Sequence, residues 1–218
     1  GNFHLAATLQ TSAAWHDPDF NTWLASGVSA GWAEMTSSAY AQHIMPFVQD
    51  GMNNWAVNIE KQMTDWRYTC DAKVAWVPER VWLTNPDGDG NGINAACGLV
   101  DPSLADNWMQ HGIEAVLLDD YIHCGYYDNA LSDRHIYTLG NGLKVIPRTV
   151  RYRIHISVWG NDATSLRIRR AGDMLRRQMD NYRGDPRAVF VYTFTRDNIA
   201  QVYEVAESLF QNECRLTF

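Results

Sequence analysis

Short, mainly apolar runs alternate along this chain with longer amphipathic stretches. The runs are Phe3 to Leu9, Trp32 to Met35, Val74 to Val77, Ala115 to Leu118 and Ala188 to Tyr192. Each reads as a buried strand, because a strand covered on both faces carries few polar positions. Between them, Met52, Trp55, Ala56, Ile59, Met63 and Trp66 recur at helical spacing and make one stripe. Asp101-Pro102-Ser103 starts a second helix that runs to about Gln110 and is ended by His111-Gly112. Leu166 to Tyr182 reads as a third helix with Ala171, Met174 and Leu175 inward, and Asp197 to Phe210 as a fourth. Strands alternating with helices predict an α/β fold, a parallel sheet with helices outside it. The whole stretch 1–218 reads as a single domain. In such folds chemistry gathers at the C-terminal ends of the strands. The residues that follow each apolar run are therefore the candidates.

Composition narrows the classes. Eighteen basic residues stand against 25 acidic ones, a net charge of −7. An acidic chain without a basic tail is a poor partner for nucleic acid or for an anionic membrane. No apolar run approaches the roughly 20 residues that a membrane helix needs. Cys70, Cys97, Cys124 and Cys214 lie far apart with no C-x-x-C pair. That argues against structural zinc and a disulfide framework, and for a reducing cytoplasm. No signal peptide is read at the start. Gly1-Asn2-Phe3 carries no initiator Met, so the chain reads as a processed product or a piece of something longer. There is no G-x-S-x-G, Walker loop or dinucleotide fingerprint. Nine Trp and 10 Tyr supply flat aromatic surface that suits sugar rings as well as a core.

Acidic residues stand at or after the ends of four runs: Glu34 after Trp32-Ala33, then Glu79, the pair Asp119-Asp120, and Asp197. In one mouth, convergent carboxylates with aromatic walls fit glycosidic bond cleavage. One carboxylate acts as nucleophile or base, another as acid, around an oxocarbenium-like transition state. Arg80 beside Glu79 would keep that carboxylate ionised.

The string Val74-Ala-Trp-Val-Pro-Glu-Arg-Val-Trp82, followed by Gly112-Ile-Glu-Ala-Val-Leu-Leu-Asp-Asp-Tyr121, resembles glycoside hydrolase family 57, the 4-α-glucanotransferase and α-amylase type. Gly31 to Pro46, Val145-Ile-Pro147 and Val150-Arg-Tyr152 are similar to further family segments. The resemblance implies a (β/α)7 barrel and a retaining mechanism on α-1,4-glucans, with no cofactor required. It implies Glu79 as nucleophile and Glu34 as a second active-site glutamate. Tyr40, His43, Arg80, Trp82, Asp120 and Tyr121 are the expected contacts to a maltooligosaccharide.

Two departures from the family pattern matter. Its first strand, ending in His-x-His-Gln, is not found; His4 sits inside a strand pattern, so the barrel reads as incomplete. The family's acid/base aspartate position holds Thr195, and Asp197 takes the place of the glutamate that follows it. A threonine hydroxyl cannot protonate a leaving oxygen. Either Asp197 serves through a shifted loop, or the chain is a non-catalytic glucan-binding or regulatory relative. Asp87, Asp89 and Asn91 match the first half of a calcium loop. The closing Glu is absent, and a solvated Gly-rich turn is the competing reading. Arg167, Arg169, Arg170, Arg176 and Arg177 read as a solvated helix face.

Overall fold

The computed structural model describes residues 2–4, 6–78, 102–119, 135–139, 141–148, 177, 180 and 183–188. In chain order the elements are β1 (Asn2–His4), α1 (Ala7–His16), α2 (Pro18–Ser29), β2 (Glu34–Thr36), a 3-10 turn (Met45–Phe47) and α3 (Asp50–Tyr68). They continue with β3 (Val74–Trp76), α4 (Pro102–Gln110), β4 (Ala115–Asp119), β5 (Tyr137–Thr138) and β6 (Lys144–Arg148).

β1 pairs in parallel with β2, His4 standing opposite Thr36. Ser37, just past β2, makes a parallel bridge to Ala75. Its N–H donates to the Val74 carbonyl at 2.9 Å, and its own carbonyl accepts from Trp76 N–H at 2.8 Å. β3 pairs in parallel with β4, and β4 with β6. β5 closes the edge in antiparallel. Strands β1, β2, β3, β4 and β6 therefore lie side by side in chain order and run one way. That order requires crossover connections, and α1 with α2, then α3, then α4 fill the first three. The result is a largely parallel α/β sheet with helices in its crossovers.

One large apolar cluster joins the sheet to α3 and α4 through Ala56, Val57, Trp108, Val116, Leu118 and Val145, all buried. A smaller one joins α2 and β2 to the end of α3 through Leu24, Met35 and Tyr68.

Three expectations change. The run Phe3 to Leu9 is not one strand: β1 ends at His4 and helix α1 begins at Ala7. Ala6, Ala7, Ala13 and Ala14 favour helix. The buried Glu60 carboxylate of α3 also accepts the Ala7 N–H at 2.7 Å, which anchors the first turn. The run at Trp32 yields a strand two residues later, Glu34–Thr36. The helix α2 before it, unmarked in the sequence reading, starts with Pro18 at its first position and Asp17 Oδ1 accepting Phe20 N–H.

The third change concerns α3. A surface helix ordinarily turns its apolar stripe to the core. Here Trp55 and Trp66 are 52% and 75% exposed, and Met52 is exposed with them. Of that stripe Ala56 is buried, and the buried face also includes Val57, Asn53, Glu60, Lys61 and Thr64. Each polar side chain among them has a bonded partner. Asn53 donates to the carbonyls of Met45 and Val48 and accepts from His43. Gln10 donates to Thr64 Oγ1 at 2.9 Å, and Lys61 bonds Asp65 and Asp71. Asn53→Ala is expected to cost about 2 kcal/mol of stability, because it orphans buried carbonyls. A urea midpoint indistinguishable from the native one would refute that.

α4 follows the sequence reading, ending where Gly112 turns with φ 78°. Arg177 and Asp180 are helical, in keeping with the third helix. The rest of that helix, the helix from Asp197 and the run after Ala188 lie outside the described residues.

Candidate active site

Parallel strands in this order bring the C-terminal ends of β1, β2 and β3 to one edge. His4 ends β1, Thr36 ends β2 with Ser37 and Ser38 following, and Trp76 ends β3. Thr36, Ser37 and Ser38 are all buried. The His4 ring stacks on the Trp76 indole, centroids 6.2 Å apart and 19° from parallel. Ser38 Oγ donates to the Trp76 carbonyl at 2.7 Å, and so ties the β2 loop to β3.

Gln42 stiffens this edge. Its side-chain amide donates to Ser38 Oγ and to the Ala39 carbonyl. Its backbone sits at φ 54°, a left-handed conformation that non-glycine residues seldom take. The side-chain bonds offset part of that cost.

Burial lowers the His4 pKa to about 4, against opposing hydrogen bonds with Thr36 and Gln42. The imidazole is therefore neutral at pH 7. Its Nδ1 and the Ser37 hydroxyl are buried with no hydrogen-bond partner among the described residues. Orphaned polar atoms at a strand-end edge are groups that a ligand hydroxyl or a water can satisfy.

The sequence-predicted residues fare unequally. Glu34 is the first residue of β2, exposed, at the edge opposite His4 and Thr36. Tyr40 lies in the loop after β2, half-buried, its ring edge-on to Trp55 at 5.9 Å. His43 Nε2 is 2.8 Å from Asn53 Oδ1, so its ring is bonded to the base of α3. β3 ends three residues before Glu79, and the intervening Val77 and Pro78 are buried. Asp119 ends β4, in register with Arg148 of β6. Glu79, Arg80, Trp82, Asp120, Tyr121 and Asp197 lie outside the described residues, as do Asp87, Asp89 and Asn91 of the calcium-like loop. Among the described residues no three His, Cys, Asp or Glu side chains gather to hold a metal. No described helix is long and apolar enough to cross a membrane.

Sequence reasoning missed His4, Ser37, Ser38 and Gln42. The signal was available. Inspecting residues just beyond a strand finds Ser37 and Ser38 once β2 is given its observed bounds.

No family model matches the sequence, and no curated protein matches it. Solved structures do. The 4-α-glucanotransferase from Thermococcus litoralis is 16% identical with a TM-score of 0.63; the match covers 95% of this chain and 29% of that one. The GH57-type branching enzyme from Pyrococcus horikoshii is 13% identical with a TM-score of 0.64, covering 94% and 47%. The α-amylase AmyC from Thermotoga maritima is 8% identical with a TM-score of 0.68, covering 94% and 51%. The chain thus has the fold of glycoside hydrolase family 57 enzymes, a (β/α)7-barrel-like parallel sheet of which the described residues form part. It spans between 29% and 51% of the length of these three proteins.

Proposed function

We propose that this chain is the catalytic barrel domain of a retaining glycoside hydrolase or 4-α-glucanotransferase acting on α-1,4-glucans, with Glu79 as nucleophile. The observation that carries the reading is where Pro78-Glu79-Arg80-Val81-Trp82 falls in the chain. It follows directly on the C-terminal end of β3, in a fold shared with glucan-active enzymes. The Glu79 carboxylate attacks the anomeric carbon, and the bond to the leaving sugar oxygen breaks. Asp197, the acid in this reading, gives its proton to that oxygen. It then takes a proton back from a water or a sugar hydroxyl, which attacks the glycosyl-enzyme and frees Glu79. Arg80 keeps Glu79 ionised between turnovers. A neutral His4 suits hydrogen bonding to uncharged sugar hydroxyls. Tyr40, Trp82, Asp120 and Tyr121 complete the sugar contacts. The bond from His43 to Asn53 gives that ring a structural task. The cysteine spacing supports a cytoplasmic setting.

Incubation with a maltooligosaccharide of one length tests the reading. Hydrolysis yields shorter products only, and transfer yields shorter and longer ones. A chain that is folded by near-UV circular dichroism and leaves the sugar intact refutes catalysis. Thr195 favours the second reading, a glucan-binding relative without acid chemistry.

A further inference from the structure

Three aromatic rings of α2 and the segment before β2 lie in contact. Phe20 and Trp23 of α2 have centroids 5.9 Å apart, and Trp23 and Trp32 have centroids 5.0 Å apart. The rings tilt by 34° and 50° in turn, which makes a curved platform. Phe20, Trp23 and Trp32 are 37%, 50% and 43% exposed, so each ring is part seated and part open to solvent.

The platform is built in. A Cβ on Gly27 would stand 2.4 Å from Trp32 Cζ2, so only glycine there lets the indole lie across α2. Trp32 N–H also donates to the Gly27 carbonyl at 3.1 Å. Trp32 precedes β2, at the edge of the sheet opposite His4 and Thr36. The platform is therefore separate from the candidate active site.

Its charge limits the ligand. α2 carries one charged residue, Asp19, and exposed Asp17 and Glu34 flank the aromatic segment. Acidic surroundings repel phosphates and accept hydrogen bonds from hydroxyls. Ring faces beside acceptors suit a neutral polyhydroxylated chain.

We propose that Phe20, Trp23 and Trp32 form a second carbohydrate-binding surface, which holds a stretch of α-glucan away from the catalytic edge. The inference rests on the glucan reading above.

Native gels cast with and without amylose test it. Amylose is expected to retard the native chain. Trp23→Ala with Trp32→Ala weakens the apparent affinity at least about tenfold, the loss of one or two good stacking contacts. Trp66→Ala, an exposed ring on α3, leaves the retardation unchanged. Turnover of a short maltooligosaccharide stays within about twofold in all of them. Equal retardation of the native chain and the double variant overturns the inference. A shift from dimer to monomer by light scattering would then mark the patch as a self-association contact. If the double variant does not fold, Trp23→Phe against Trp23→Ala decides. Retention with Phe and loss with Ala supports the surface, and equal behaviour overturns it. Turnover without retardation of the native chain removes this surface and leaves the catalytic reading. Retardation without turnover does the reverse, and absence of both removes the two together.

Discussion

Glu79→Gln is expected to reduce turnover of a maltooligosaccharide by at least about a thousandfold, the scale seen when a covalent nucleophile is removed. The amide keeps the size and shape of the side chain. It loses the charge and the lone pair that form the glycosyl-enzyme. Binding of the sugar changes far less, so the loss falls on kcat. A structural role would move stability instead, and chemical rescue separates the two. Glu79→Gly supplied with azide should release a glycosyl azide, because a small anion can enter from the face that the carboxylate left. The acid still protonates the departing sugar in that reaction, so rescue also reports on Asp197. Retention of more than about a tenth of native turnover in Glu79→Gln would refute the nucleophile assignment.

The second large effect is on stability against pH, where two buried groups oppose each other. Burial raises the Glu60 pKa to about 7, against the hydrogen bonds from Ala7 and Thr64. Its folded value lies above its ordinary 4.5. Its contribution is therefore full below pH 4.5 and is lost as pH rises through 7. His4 has the opposite sign. Its folded value of about 4 lies below the ordinary 6.5, so its contribution is full above pH 6.5 and is lost as pH falls through 4. Each is worth on the order of 3 kcal/mol at full span. Between pH 4.5 and 6.5 the two slopes nearly cancel. Glu60→Gln should thus unmask a stability that climbs with pH, and His4→Phe one that falls. Urea midpoints at half-unit steps from pH 4.5 to 7.5 measure both. Parallel profiles for the two variants would sink the account.

Much of the scaffold was legible because buried parallel strands write themselves as apolar runs. The runs Val74 to Val77 and Ala115 to Leu118 fall within a residue of the strands Val74–Trp76 and Ala115–Asp119. α4 was legible from its Pro at the start and its Gly at the stop. The first segment misled because Ala6, Ala7 and Leu9 are apolar without preferring strand. At the second run β2 begins two residues after Trp32. Glu34 was read as lying beyond a strand that it begins, while Ser37 and Ser38 went unremarked. His4 was passed over because a single histidine does not match a two-histidine string. Its place at the end of β1 and its stacking on Trp76, contributed by a distant strand, set it at the edge. The buried hydrogen bonds of Glu60 and Asn53 join residues far apart in the chain or in an irregular loop, which no periodicity records.

That polar underside of α3 has a consequence for how the sheet and helices lock together. Oily surfaces forgive sliding, because a leucine displaced by one turn still meets something greasy. Directional partners do not. Asn53 reaches two carbonyls, Glu60 an amide at a helix start, and Thr64 a glutamine, each at its own height along the helix. Shifting α3 by one turn, about 5.4 Å, would break every one of these at once. The helix behaves as a notched key with a single seat, and the strands on either side of it inherit their alignment from that seat.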